Sequence, residues 1–296
     1  MAPNSTSLAG KPGRGLVLSV NIPPLDAAAV LKRYGLHAEK SLGQNFLQDA
    51  EALEQIVVAA EIEFTDTVLE IGPGLGSLTR YLANAAKEVV AVELDAKLLP
   101  PLKAILAPHD NVRLIQGDIL KLAPDDLIKE QDYIVAANIP YYITSAVVRH
   151  LLECTVKPRR IVLTIQKEVA ERICAKPGDL SLLALSVQIY GEPRIVVHIP
   201  KTAFFPIPKV DSAVLCINVY DKHLIDHELL ERFFNLTRAG FSQKRKTLRN
   251  SLSAGLHISP AQAVELITRA GIDPQRRAET LSIDEWRRMC ELHTTK

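Results

Sequence analysis

The chain has 296 residues, 47% hydrophobic and 23% charged, with a formal net charge of +1. That length can bury a sizeable core and suggests about two domains; the composition excludes collagen-like, low-complexity and wholly disordered chains. Cys154, Cys174, Cys216 and Cys290 are scattered without a CxxC pair, which excludes a disulfide framework or zinc knuckle and fits inert thiols in a reducing compartment.

Residues 1–25 are rich in Gly, Pro, Ser and Asn and are read as a flexible N-terminal tail. The first fifteen residues lack a signal-peptide core. No apolar run approaches the ~18 residues of a spanning helix, so a cytoplasmic protein with no membrane partner is expected. In SLGQNFLQDAEALEQIVVAAEI, residues Leu53, Ile56, Val57 and Ala60 fall at helical spacing. From Thr67 the pattern changes. TVLEIG predicts a strand ending in a glycine-rich turn, GSLTRYLANAA a helix, EVVAVELD a second strand, and AKLLPPLKAIL a helix interrupted by prolines. NVRLIQGD, DYIVAAN and RRIVLTIQ predict three more strands, with helices TSAVVRHLLE and KEVAERIC between or after them. Near-continuous apolar strands alternating with helices predict a parallel sheet covered on both faces. PRIVVHIP and SAVLCINVY are joined by the Pro-rich KTAFFPIPKVD, too short for a helical crossover, so this pair is expected to be antiparallel. After Tyr220 the strand signals stop: DHELLERFFNLTRAGF, KRKTLRNSLSAGL, SPAQAVELITRAG and SIDEWRRMCELH are read as helices. The expected organisation is an α/β domain over 26–220 and a small helical domain over 221–296.

The chemistry gathers at strand ends. Gly72, Gly74 and Gly76 let the chain turn sharply and let a ligand approach backbone at a helix start; an unliganded tight turn is the competing reading. The spacing is G-x-G-x-G, unlike the G-x-G-x-x-G of dinucleotide enzymes. Glu93, 21 residues after Gly72, is placed to accept both hydroxyls of a ribose, or is a solvated acid. Asp118 can accept from an adenine amino group, or cap a turn. Three such signals, each at a strand's carboxyl end, point to a nucleoside-containing cofactor. The fourth strand ends in Asn138-Ile139-Pro140-Tyr141. A ring-attached amine is a weak nucleophile, so an enzyme must hold its hydrogens and aim its lone pair. An amide oxygen on Asn138 and the Ile139 carbonyl before Pro140 are suitable acceptors, and Tyr141 is a ring on which an extracted base can stack. Lys244, Arg245, Lys246 and Arg249 form an acid-free run, read as a phosphate-binding surface that positions RNA or else a solvated helix face; Arg276-Arg277 and Arg287-Arg288 are candidates to extend it.

EIGPGLGSLT, AVELD, GDIL and NIPYYITS, together with SLGQNFL, TIQKEVAERI and AFFPIPKVDSAV, resemble the S-adenosylmethionine-dependent rRNA adenine N6-dimethyltransferases, seven motifs in the right order along the chain. GFSQKRKTLRNSL is similar to the small-subunit branch. The resemblance runs from about Leu36 to Trp286. It implies a Rossmann-like class I methyltransferase sheet of seven strands, the last antiparallel, followed by a small all-α domain. It also implies that Asn45 and Leu47 close over the cofactor, that Gly72 and Gly74 meet its amino-acid part, that Glu93 holds its ribose and Asp118 its adenine, and that Asn138 marks the transfer site. Phe204 would be the second stacking ring, opposite Tyr141; ordinary core is its alternative. The implied substrate is two adjacent adenosines near the 3′ end of small-subunit rRNA in an immature small ribosomal subunit, the cofactor S-adenosyl-L-methionine, with no metal and a monomeric enzyme. The sequence departs from the family at Ile139 for the commoner Leu, at Tyr142 where Asn is frequent, in Leu180–Gln188, and at Lys40-Ser41-Leu42, where the family is more basic. Competing readings are an assembly checkpoint whose methylation is secondary, a resistance enzyme acting on large-subunit rRNA, and a nicotinamide oxidoreductase.

Overall fold

The computed structural model describes residues 22–129 and 131–293; residues 1–21 of the expected tail lie outside it. Among the described residues, nine strands form in chain order: β1 Phe46–Leu47, β2 Thr67–Ile71, β3 Glu88–Glu93, β4 Val112–Gln116, β5 Ile134–Asn138, β6 Arg160–Gln166, β7 Gly191–Ile199, β8 Phe204–Phe205 and β9 Ser212–Val219. Seven build one sheet in the order β4-β3-β2-β5-β6-β9-β7. Strands β2 to β6 are parallel, while β9 runs antiparallel to both β6 and β7. The expected antiparallel ending is therefore present, with the last strand inserted between its neighbours.

Period-two alternation divides the core. Leu69, Val90, Val135, Leu163 and Leu215 face one apolar cluster, and Val68, Val89, Ile134, Val162 and Val214 face the other. The second cluster is covered by helices α1 (Ala50–Ala60) and α2 (Ser77–Ala85). Helix α1 is capped by Asp49, whose carboxylate accepts the Ala52 N–H at 2.8 Å, an N-cap that satisfies an otherwise orphaned donor. The prolines of LLPPLKAIL do not interrupt a helix. They sit in the first turn of Leu99–Leu106, after a short 3₁₀ turn over Ala96–Leu98, where a missing N–H costs nothing.

The chain after β9 is helical over Leu230–Phe241, Leu248–Leu256, Pro260–Arg269 and Ile283–Leu292. Ser259 and Gln262 form a capping box ahead of Pro260. Phe233, Leu236, Trp286 and Met289 belong to the same apolar cluster as the first sheet face, so these helices share a core with the sheet. One expectation fails here. KRKTLRNSLSAGL is not helical throughout: its helix starts at Leu248. Lys244, Arg245 and Lys246 stand before it in a turn closed by the Lys246 N–H to the Gln243 carbonyl, and the Leu248 N–H is taken by the Arg276 carbonyl.

Candidate active site

Strand order reverses between β2 and β5, and in open α/β sheets ligands bind in the crevice at that switch. The loops leaving these two strands carry the nominated motifs. Gly72, Gly74 and Gly76 take φ values of +69°, +60° and +87°, a left-handed region that side chains disfavour. The Gly72 N–H donates to the Val92 carbonyl at 2.9 Å, fixing the turn to the end of β3. There the buried Glu93 accepts the Gly74 N–H on Oε2 at 2.9 Å and the Asp95 N–H on Oε1 at 2.8 Å. Each oxygen keeps a further lone pair. Burial pushes the Glu93 carboxyl above its ordinary range, opposed by those backbone donors.

Asp118 accepts the Leu120 N–H at 3.1 Å and stands 3.8 Å from Lys121 Nζ. Its turn-capping role is thus realised, and it lines the cleft as well. Asn138 closes β5. Its Nδ2 donates to the Asn45 carbonyl at 3.0 Å, which leaves Oδ1 as the free acceptor. The Asn45 side chain donates to the Gly43 carbonyl at 3.0 Å, so the loop before β1 is braced internally. Ile139 buries its side chain and offers backbone at the cleft wall. Tyr141 is pinned at both ends: Thr144 Oγ1 donates to its carbonyl at 3.1 Å, and its Oη is 2.7 Å from Ser212 Oγ. Burial raises its hydroxyl pKa, with Ser212 opposing.

These groups surround a cleft of about 1020 Å³ of atom-free space, open to solvent at its mouth. Asn45, Leu47, Gly72, Gly74, Glu93, Asp118, Asn138, Ile139, Pro140 and Tyr141 all line it. Phe204 does not. Its ring is 3% exposed and packs in the core beneath the cleft's far wall, because β8 pairs antiparallel with β1 and sets Phe204 opposite Leu47. The expected second stacking ring is a core residue in this structure.

Sequence reasoning assigned no role to Glu70, although it closes the same strand as the glycine turn. It is buried at the cleft wall, and its Oε2 has no partner. Burial pushes its carboxyl up to about 8, with Thr79 lowering and Glu93 raising it. Ser77 Oγ, also on the wall, is unpartnered too. Ser212 carried no signal because it meets Tyr141 across 71 residues. The cleft wall contains Glu70, Glu93 and Asp118 but no Lys, Arg or His among the described residues. A cation is favoured there, while a dinucleotide's pyrophosphate would meet only acids. Among the described residues, no group of three or more His, Cys, Asp or Glu is placed to hold a metal, and no helix is long and apolar enough to cross a membrane.

Lys244, Arg245 and Lys246 are exposed and form no ion pair among the described residues, while Arg249 is half-buried beside Asn250. The proposed extensions are different. Arg276 pairs with Glu285, Arg277 with Glu279, and Arg287 with Asp284, so neighbouring acids already offset those charges.

Residues 35–295 match the family described as ribosomal RNA adenine dimethylase. The chain belongs to that family. Two relatives named ribosomal RNA small subunit methyltransferase A are 47% identical over 93% of this chain and 95% of theirs (Dehalococcoides mccartyi strain CBDB1) and 43% identical over 87% and 91% (Bacillus cytotoxicus). Among solved structures, a dimethyladenosine transferase from Plasmodium falciparum has a TM-score of 0.72 at 25% identity, covering 82% of this chain and 95% of its own. The 23S rRNA methyltransferase ErmE has a TM-score of 0.68 at 29% identity, covering 84% and 99%. As a family member the chain is an rRNA adenine dimethyltransferase that uses S-adenosylmethionine. The cleft fits that cofactor: the carboxylates of Glu93 and Asp118 suit a sulfonium and an ammonium group, and the buried Glu70 and Ser77 oxygens are without partners and open to hydrogen bonding.

Proposed function

We propose that this enzyme dimethylates N6 of two adjacent adenosines near the 3′ end of small-subunit rRNA, acting as a cytoplasmic monomer on the immature small subunit during its biogenesis. Relatives at 43–47% identity named for the small subunit, against 29% for the 23S enzyme, support the choice of RNA. The observation that carries the chemistry is the oriented amide of Asn138, whose Nδ2 is committed to the Asn45 carbonyl.

Glu93 would hold the cofactor's ribose hydroxyls with the lone pairs left on its two oxygens, and Asp118 its adenine amine. Gly72 and Gly74 admit its amino-acid end, and Asn45 and Leu47 close above. When bound, S-adenosylmethionine supplies a methyl group on a sulfonium, a leaving group that requires no further activation. Asn138 Oδ1 and the Ile139 carbonyl accept the target amine's hydrogens and direct its lone pair. Tyr141 supports the base through its face, held in plane by Ser212. Most of the rate gain on this reading comes from orientation rather than from a strong base. The domain over 221–296, distinct in role from residues 26–220, presents Lys244, Arg245 and Lys246 from a turn and Arg249 from the helix that follows it to RNA phosphates.

Incubation with labelled S-adenosylmethionine and unmethylated ribosomal subunits, followed by mapping of the modified bases, tests the reading. Label on two adjacent small-subunit adenosines is expected; label confined to large-subunit RNA overturns it.

A further inference from the structure

Two consecutive tyrosines at the cleft are treated in opposite ways by the fold. Tyr141 is half-buried, with its hydroxyl tied to Ser212. Tyr142 also lines the cleft, yet it is 63% exposed. Its ring leans on the loop before β1, where a side chain at Gly43 would come within 3.4 Å of it and within 3.2 Å of Pro140. Gly43, at φ +64°, leaves that room. A large flat ring is thus presented at the mouth of the cleft with most of its surface in water.

A base drawn into the cleft leaves its neighbour on the strand without a stacking partner. The exposed ring beside Tyr141 offers such a partner, and stacking on an aromatic face is strong and indifferent to base identity. We propose that Tyr142 is a second base platform, which stacks the nucleobase adjacent to the one held for transfer. The inference rests on the RNA methyltransferase reading above and adds a subsite for a second nucleobase of single-stranded RNA. It gives the enzyme a way to grip two neighbouring bases at once while only one is at the transfer site.

The test compares wild type, Tyr142→Ala, Tyr142→Leu and Tyr142→Phe on unmethylated small subunits. Tyr142→Ala and Tyr142→Leu should raise the KM for subunits roughly tenfold, within the range for losing one stacked base. The kcat and the dissociation constant for S-adenosylmethionine should stay within about twofold, and Tyr142→Phe should restore the KM. On subunits reassembled with an abasic nucleotide beside the target, wild type and Tyr142→Ala should have equal KM. The proposal is overturned if Tyr142→Leu matches wild type, if the loss falls on cofactor affinity, or if the tenfold gap persists on the abasic substrate. A wild-type enzyme that methylates no small-subunit RNA would instead overturn the underlying reading.

Discussion

The cleft and the turn before Leu248 carry opposite charge. The cleft is walled by the carboxylates of Glu93 and Asp118, beside a Glu70 that burial keeps protonated to about pH 8, whereas Lys244, Arg245 and Lys246 stand exposed and unpaired among the described residues. A net charge of +1 hides both. The difference teaches that local fields, not the sum, decide what each region attracts: a cation at the cleft and, on the proposed reading, a polyanion at the turn. Of the arginines that looked like additional RNA contacts, Arg276, Arg277 and Arg287 are offset by paired acids, and Arg288 donates to the Ala270 carbonyl.

Several substitutions would break or sharpen that contrast. Asn138→Ala should lower kcat by about 100-fold, the scale of lost positioning, with cofactor affinity held; calorimetry and single-turnover assays separate the two, and a wild-type rate would remove Asn138 from the site. Reversing Lys244, Arg245 and Lys246 to Glu should reduce the salt slope of RNA affinity by roughly 2 to 3. The affinity lost between 50 and 200 mM salt would then shrink by roughly 16- to 64-fold, with S-adenosylmethionine binding unmoved. Glu93→Ala should weaken cofactor binding by roughly 1–3 kcal/mol, the cost of stranding buried donors, and leave RNA affinity intact; equal loss of both would dissolve the division of labour. A separate effect, on stability rather than on binding, concerns Glu70. Its folded pKa of about 8 lies above the ordinary carboxylate value of 4.5, so the folded state retains a proton that the unfolded chain gives up. Stability should therefore fall as pH rises from about 4.5 to about 8, and Glu70→Gln should flatten that slope. Parallel melting curves of the two proteins across this window would show it, and identical pH dependence would place Glu70 outside the low-dielectric wall.

The sheet was legible because its central strands β2, β3, β5 and β6 are buried on both faces and so read as continuous apolar runs. The site was legible where chemistry and local order coincide, as at Gly72–Gly76, Glu93 and Asn138. The rest depends on tertiary pairing. β1 and β8 are two residues each and exist only by facing one another across the chain, which also turned Phe204 inward. The basic run has good helix formers, but the Arg276 carbonyl takes the Leu248 N–H and sets the helix start after Lys246. Ser212 beside Tyr141 is a contact between the start of β9 and a distant 3₁₀ turn and leaves no periodicity to read.

The bond from Asn138 Nδ2 to the Asn45 carbonyl has a rotational consequence. An amide side chain is two-faced, and a half-turn exchanges its acceptor for a donor pair. Lifting the 43–47 segment would free that half-turn, and a flipped amide would turn donors toward an amine's hydrogens. On the mechanism proposed above, seating of the segment and competence for transfer would therefore be coupled through a single carbonyl.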